Sequence, residues 1–290
     1  MEKNGLAYLF VFLAVLLWGS TAAVSKLLLF NISNIQLMLF SSFFAAIALF
    51  LISVIRGKLT LISSYGLKDY WVFAYMGLLG VFLYGFFFFG AIDLLAAQEA
   101  FIINYLWPLM IILFAVPILK EKLTFAKILG IIFSFFGVII VISKGNIFSL
   151  NFGNIVGVIF AILGAIVYGF FSVLGKKHDY DRLTSMTFYY LFGFAYTFIF
   201  ATATSQLFLP NASQLLSLLW LGIFTSGLAF LFWFLALKYA DTAKMSNIVY
   251  LTPFVSLVYI YFLVGEQILL SSIIGLVIII IGVIIQTKNK

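Results

Sequence analysis

Ten apolar segments, each about long enough to cross a lipid bilayer, follow one another along the chain. A transmembrane helix needs about 20 mostly apolar residues, and charges and turn residues divide the sequence into ten runs of about that length. These runs lie at 5–27, 35–55, 70–92, 97–119, 124–143, 153–175, 184–205, 215–237, 242–264 and 268–286. The connections between them are short, so the sequence predicts an all-α membrane protein with ten transmembrane helices.

The composition excludes several other classes of protein. Hydrophobic residues make up 65% of the chain and charged residues 9%, whereas a soluble domain carries about 25% charged residues. The net charge of +7 could point to nucleic acid, but the basic residues are scattered over short loops, so we expect a lipid bilayer and no nucleic acid as partner. The lone His178 beside Asp179 and Asp181 could hold a metal, yet a closed site needs about four ligands. We expect a solvated loop there, with no metal and no cofactor.

The basic residues also predict the orientation. With the N-terminus in the cytoplasm, all of the sixteen Lys and Arg residues except Lys26 and Lys144 fall on the cytoplasmic side. This distribution satisfies the positive-inside rule. We therefore expect a multi-pass protein of the cytoplasmic (inner) membrane, with both termini in the cytoplasm.

An internal repeat divides the chain into two predicted domains, 1–145 and 146–290. A shift of 145 residues pairs the following positions: Gly77 with Gly222, Pro108 with Pro253, Glu121 with Glu266, Gly130 with Gly275 and Gly137 with Gly282. Each half holds five spans, an odd number, so the second half must cross the membrane in the opposite sense. Inverted repeats can exchange conformations in alternating access, with the binding site near the midplane between the halves.

The paired glycines leave the oligomeric state open. Gly130 and Gly137 share one helix face, and Gly275 and Gly282 repeat this spacing. Small residues let helix backbones approach closely in lipid. They predict either a dimer contact or packing within one subunit, and the protein could be a monomer or a homodimer.

The repeated pattern resembles a known family. Trp18-Gly19, the mid-span Pro108 and Pro253, the closing Glu residues and the Gly pairs resemble the EamA family of the drug/metabolite transporter (DMT) superfamily. The stretch 99–108, with its Asn-Tyr-Leu-Trp-Pro core, is similar to the fourth span of YddG-type aromatic amino acid exporters, and 250–253 resembles their ninth span. The resemblance implies a central cavity lined by spans 1, 3, 4, 6, 8 and 9, and the export of amino acids and related metabolites.

Polar residues inside spans four and nine are the first candidates for substrate binding. Asn104 and Trp107 lie three residues apart and share a helix face. An amide and a flat indole suit a zwitterion with an apolar side chain. Asn247 and Tyr250 follow the same spacing in span nine. Helix–helix hydrogen bonding is the alternative interpretation.

Other spans add further candidates. Spans one, three, six and eight carry five residues that we expect to contact substrate: Trp18, Ser20, Tyr84, Tyr168 and Trp233. Trp and Tyr also form interfacial belts, which is the alternative for the aromatic residues.

Prolines and charges predict moving parts of the transporter. Pro108 and Pro253 each remove a backbone donor and could act as hinges or as static kinks. Glu99 and Lys26 lie at the outer ends of their spans, where they could pair as a gate or bind the amine and carboxylate of a substrate. Alternatively, both snorkel to water. Glu121 and Glu266 are expected to cap the next helix or to pair locally.

These observations predict a secondary transporter that moves a small-molecule substrate by alternating access. We expect it to use no cofactor and no metal. Amino acids or related metabolites are the expected substrates, with export as the expected direction. A drug or organic-cation efflux transporter is the alternative, although it should carry a buried acid near the midplane. A membrane enzyme would need clustered His, Asp or Glu, and the sequence shows no such cluster, so we do not expect an enzyme. A channel would show no counterflow. No P-loop motif is visible, so we do not expect ATP to drive transport. Proton coupling would need a titratable group in the pathway, for which Glu99 is the candidate, and facilitated diffusion is the alternative.

Overall fold

The computed structural model describes residues 3–122, 124–146, 154–178, 180–239, 245, 248–249 and 251–287, and all regular structure in these ranges is helical. Within these ranges, eight helices are long and apolar enough to cross a membrane: Gly5–Leu29, Asn34–Ile55, Leu67–Leu94, Ala97–Leu119, Phe125–Ile142, Ile155–Lys177, Arg182–Ala203 and Ala212–Trp233. Two shorter apolar helices follow, Thr252–Val264 and Leu270–Ile285. Numbered in chain order, they are spans one to ten, and the all-α prediction is confirmed. The predicted start of span nine at 242 lies outside the described residues.

Several spans begin at a capping residue that the sequence places just before the apolar run. Ser33 and Gln36 form a capping box at the start of span two, and Asn211 and Gln214 form another at span eight. The Asp181 carboxylate accepts a hydrogen bond from the backbone N–H of Thr184 at the start of span seven. Such caps satisfy N–H groups that the first helical turn leaves without partners.

Two spans are interrupted near candidate residues. Span one consists of helices Lys3–Gly19 and Thr21–Leu29, with Ser20 between them. Span four consists of helices Ala97–Asn104 and Trp107–Leu119. The second break has a direct cause, because Pro108 lacks an N–H and its ring would collide with the carbonyl group of Asn104.

Spans three, eight and nine contain π-helical segments, which the sequence analysis did not predict. They run over Leu78–Leu83, Trp220–Leu228 and Ile260–Val264. Shifted by the repeat of 145 residues, the first segment falls inside the second. Such wide turns often occur at functional sites.

The chain packs as two compact units. The first unit contains Met1–Phe82 and Tyr180–Val264. In it, span two packs against spans seven and eight, and span one packs against spans eight and nine. The second unit contains Leu83–Asp179 and Gly265–Lys290, and in it span five packs against span ten, and span six against spans three and four. Each unit draws on both halves of the sequence, and the repeat boundary at 145 stays a prediction.

The glycine pairs join spans five and ten inside the second unit. A Cβ atom on Gly137 would lie 2.6 Å from the carbonyl oxygen of Gly275, and one on Gly282 would lie 2.7 Å from that of Gly130. The two backbones are therefore in contact, and packing within one subunit is confirmed. This contact occupies the glycine faces that the alternative, a dimer contact, would need.

Candidate functional site

Spans three, four and six bring four of the predicted residues together in the second unit. We call Tyr84, Asn104, Trp107 and Tyr168 the aromatic–amide cluster. The rings of Tyr84 and Tyr168 lie 4.7 Å apart between centroids, and the Trp107 ring meets that of Tyr168 edge-on at 5.4 Å. The Asn104 Nδ2 atom donates a hydrogen bond of 3.3 Å to the Tyr84 hydroxyl. The cluster thus combines three aromatic rings with one amide.

The break in span four gives the cluster its local geometry. Asn104 is the last residue of one helix and Trp107 the first residue of the next. Tyr105, between them, is buried and stacks on Phe101 with centroids 6.3 Å apart. The sequence analysis placed Asn104 and Trp107 on one helix face from their spacing, and the structure brings both to the cluster across the break in span four.

The carbonyl oxygen of Asn104 is the least satisfied atom of the cluster. Asn104 is 4% exposed, and its Oδ1 atom has no hydrogen-bond partner in the described part of the chain. Gly164 makes room for this oxygen, since a Cβ atom there would lie only 2.8 Å from it. A buried acceptor left without a donor costs about 1–3 kcal/mol. The site therefore holds an acceptor that a bound N–H group would satisfy.

The rings around this acceptor are only partly buried, so they keep surface for further contacts. Tyr84, Trp107 and Tyr168 are of intermediate exposure, unlike the amide. Aromatic faces attract flat apolar groups and also cations. The arrangement suits a ligand that carries an N–H donor next to an aromatic or apolar body.

Spans one and eight assemble other candidates in the first unit. The Trp18 and Trp233 rings lie 6.2 Å apart between centroids, and Phe230 meets Trp18 at 5.3 Å. Ser20 accepts a hydrogen bond of 2.9 Å from the indole nitrogen of Trp220. The sequence analysis missed Trp220, although an indole N–H within an apolar span generally needs a partner.

The predicted gate residues have the following surroundings. The Glu99 carboxylate forms an ion pair of 3.1 Å with Lys144, and Glu99 is 8% exposed. The Lys26 ammonium group lies 5.9 Å from the centroid of the Phe30 ring. Glu99 is therefore paired rather than snorkelling alone, and its contact with Lys26 stays a prediction.

Glu266 caps a helix, but not the next one in the chain. Its two carboxylate oxygens accept hydrogen bonds from the backbone N–H groups of Ala97 and Gln98, at 2.7 and 3.3 Å. The Gln98 amide donates to the carbonyl group of Gln267 at 2.8 Å and accepts from the N–H of Leu269 at 3.1 Å. This clamp fixes the start of span four, which carries Asn104 at its end. Sequence reasoning missed Gln98 because its partners are about 170 residues away.

Glu121 pairs locally instead of capping. Its oxygens lie 3.2 Å from the ammonium groups of both Lys176 and Lys127, and hydrogen bonds from these lysines lower the pKa of its carboxyl group. The next helix is capped by the Thr124 hydroxyl. Burial and then the charge of Lys177 lower the pKa of His178, which favours its neutral form.

The remaining candidates lie in span nine. Pro253 is buried in the first turn of the helix Thr252–Tyr259, as a helix-starting proline should be. Asn247 and Tyr250 lie outside the described residues. The hydroxyl groups of Thr252 and Ser256 are buried without a hydrogen-bond partner in the described part of the chain. Sequence analysis did not single them out, because Ser and Thr in apolar spans generally bond the preceding turn.

Comparison with known proteins agrees with this architecture. The chain is 28% identical to the uncharacterized transporter YyaM of Bacillus subtilis (strain 168), over 72% of its own length and 70% of that protein. It is 25% identical to the aromatic amino acid exporter YddG of Ancylobacter novellus, over 66% of its length and 67% of that protein. A crystal structure matches 97% of this chain and 95% of its own with a TM-score of 0.69 and 24% identity, which shows the fold.

The family assignment comes from both halves of the sequence. The EamA-like transporter family matches residues 5–143 and again residues 155–287, once in each predicted repeat. These two matches cover nearly the whole chain. The chain belongs to the EamA-like transporter family.

Proposed function

We propose that this protein is a secondary transporter that exports amino acids or related small metabolites, aromatic amino acids among them. The observation that carries the proposal is the unpartnered Asn104 oxygen beside three partly exposed aromatic rings. The ammonium group of a substrate would donate to this oxygen, and its side chain would lie against the rings of Trp107 and Tyr168. A hydrogen bond from a charged donor is stronger than one between neutral groups. The relative from Ancylobacter novellus, named an aromatic amino acid exporter, supports this choice of substrate class.

The proposed transport cycle is alternating access in the cytoplasmic membrane, with both termini in the cytoplasm. The distribution of Lys and Arg supports this orientation. The matches of one family to two successive parts of the chain support a pair of inverted halves. In this cycle the aromatic–amide cluster faces the two sides of the membrane in turn, and the Asn104 carbonyl holds the substrate by its amine.

Organic cations are a second candidate class, and the same rings are the reason. A cation within about 6 Å of an aromatic face is attracted by its quadrupole. Such a substrate would need the ring faces but not the Asn104 oxygen, because a quaternary ammonium group has no N–H to donate. Both classes therefore use the aromatic rings, but only the amino acids depend on the Asn104 oxygen.

Counterflow in proteoliposomes tests the proposal. Vesicles loaded with unlabelled L-phenylalanine should transiently accumulate external radiolabelled L-phenylalanine, and the panel includes L-tryptophan, L-alanine and tetraethylammonium. Counterflow of the aromatic amino acids supports the proposal, and counterflow of tetraethylammonium alone supports the second candidate. Downhill flux without counterflow would indicate a channel and contradict both. In vesicles without internal substrate, uptake that an imposed pH gradient drives and a protonophore abolishes would assign the transport to proton coupling, and uptake that ignores the gradient would assign it to facilitated diffusion.

A further inference from the structure

Lysines gather at one end of the second unit, where spans four and six end and span five begins. Span four ends at Leu119, span five begins at Phe125 and span six ends at Lys177. Five lysines lie in or beside the connection between spans four and five and at the end of span six: Lys120, Lys122, Lys127, Lys176 and Lys177. We call these five residues the lysine patch. None of the predicted substrate-binding residues belongs to it, so the patch is separate from the aromatic–amide cluster.

One glutamate brings the two groups of lysines together. The two Glu121 carboxylate oxygens lie 3.2 Å from the ammonium groups of Lys127 and Lys176. This double ion pair joins the connection between spans four and five to the end of span six. Lys127 also donates to the carbonyl group of Lys122 at 2.8 Å, which holds the backbone of Lys122 beside the pair. The lysines of both segments therefore form one surface.

The single glutamate neutralises only part of the positive charge of this surface. Three of the five lysines are exposed and form no ion pair with another described residue: Lys120, Lys122 and Lys177. The side chain of Lys176 is 66% exposed in spite of its pair with Glu121, and exposed ion pairs hold their partners weakly. Asp179, which follows in the sequence, lies outside the described residues. The lysine patch thus carries an excess of positive charge, which favours an anionic partner.

The position of the patch favours a lipid headgroup as that partner. The lysines begin where the apolar spans end, which is the level of the headgroups at a membrane surface. Exposed apolar side chains continue from the patch along one face of span five: Phe125, which is 74% exposed, Ile128 and Ile132. Their spacing of three and four residues places them on one helix face. An acyl chain can lie along this face while its phosphate contacts the lysines, whereas a soluble anion would use the lysines alone.

We propose that the lysine patch binds the headgroup of an anionic phospholipid, with lysines from both segments contacting its phosphate. The exposed Lys122 of one segment and Lys177 of the other are the main contacts, because neither pairs with a described acid. Their ammonium groups donate charge-assisted hydrogen bonds to the phosphate oxygens. The bound headgroup links the ends of spans four and six, which carry Asn104, Trp107 and Tyr168.

Variants that remove one charge at a time test this surface. Lys122→Gln and Lys177→Gln each remove one exposed charge, and the double variant removes both. The double variant Arg56→Gln/Lys68→Gln is the matched control, because it removes two exposed charges from the first unit. Binding of phosphatidylglycerol is measured by native mass spectrometry of the detergent-solubilised protein. Phosphatidylcholine with the same acyl chains is the probe without net charge, and inositol hexakisphosphate is the soluble anionic probe.

We expect each single variant to bind phosphatidylglycerol about fivefold more weakly, and the double variant about thirtyfold, from the attraction that each lysine near a headgroup adds. The Arg56→Gln/Lys68→Gln protein should bind it like the wild type. Higher ionic strength should weaken the binding of phosphatidylglycerol but not that of phosphatidylcholine, because salt screens exposed charges.

Three results would overturn the proposal. The first is equal binding of phosphatidylglycerol by the wild type and the double variant, and the second is an equal loss in the matched control. The third is binding of inositol hexakisphosphate as tight as that of the lipid, because the patch would then serve a soluble anion. The thermal midpoint of each variant checks its fold, and the two single variants lie on separate segments, so failure of one to fold leaves the other as the test.

Discussion

The change Asn104→Leu should separate substrate binding from stability. Leucine has the branching of asparagine without its polar atoms, so it fills nearly the same space. The change removes the Oδ1 atom that lacks a partner and the Nδ2 bond of 3.3 Å to Tyr84. Most substitutions of a buried polar residue that contacts a ligand lower both the affinity and the stability. The geometry here instead predicts a lower affinity together with an equal or higher stability.

The magnitudes follow from the two hydrogen-bonding atoms. Removal of a buried unpaired acceptor relieves about 1–3 kcal/mol, and loss of the bond to Tyr84 costs about 1 kcal/mol. The free energy of unfolding should therefore stay the same or rise by up to about 2 kcal/mol. A hydrogen bond from a substrate ammonium group is worth about 1.5–3 kcal/mol, so the half-saturation concentration should rise about 10- to 100-fold.

The assay combines counterflow of L-phenylalanine with thermal unfolding of the same preparation in detergent. Gln206→Met is the matched control, because the Gln206 Oε1 atom is also buried without a partner in the described part of the chain. The control should be at least as stable as the wild type and show an unchanged half-saturation concentration. An unaltered half-saturation concentration in Asn104→Leu would refute the role assigned to the Asn104 oxygen.

Three further predictions concern other parts of the molecule. Trp107→Leu should lower the affinity for L-phenylalanine about two- to tenfold more than that for L-alanine in counterflow, because an aromatic pair adds about 0.5–1.5 kcal/mol beyond burial. Gly137→Ala should destabilise the protein by about 1–3 kcal/mol in detergent unfolding, since the new methyl group would lie 2.6 Å from a backbone oxygen. Acid should weaken the first unit. Burial raises the pKa of Asp181, but hydrogen bonds from Lys58 and Thr184 outweigh it and lower that pKa below 3.8. The stabilisation is thus present above pH 3.8 and lost as the pH falls through the lower folded-state value, as pH-dependent unfolding should show.

Each of these predictions has a control in the same chain. Trp71→Leu should leave the ratio of phenylalanine to alanine affinity unchanged, because Trp71 is 69% exposed. Gly66→Ala should be tolerated, since its nearest contact would be 3.9 Å away. In Lys58→Met the loss of stability between pH 7 and pH 3 should shrink, because the Asp181 partner is gone. An equal acid response in this variant and the wild type would contradict the assignment to this ion pair.

The sequence was sufficient for features that depend on one segment alone. The length and apolarity of each run predicted ten helices, and Pro108 predicted the break in span four, because its effect acts on its own helix. The four members of the aromatic–amide cluster lie on three different spans, yet each was a candidate from the sequence, since polar and amphipathic groups in a span tend to face other helices.

Features that depend on distant segments could not be predicted in the same way. The Glu266 cap on span four joins residues about 170 positions apart, and the sequence around Glu266 gives no indication of that partner. The hydrogen bond between Ser20 and Trp220 also joins distant segments of the chain, so the sequence around either residue could not predict it.

Fluorine NMR of the protein labelled with 5-fluorotryptophan tests the central claim most directly. Substitution Trp107→Phe assigns the Trp107 resonance, and L-phenylalanine is then titrated into the otherwise unaltered protein. We expect the Trp107 resonance to shift saturably, with a midpoint that Asn104→Leu raises, while the exposed Trp71 resonance stays in place. Saturable counterflow of L-phenylalanine without any change in the Trp107 resonance would contradict binding at the aromatic–amide cluster.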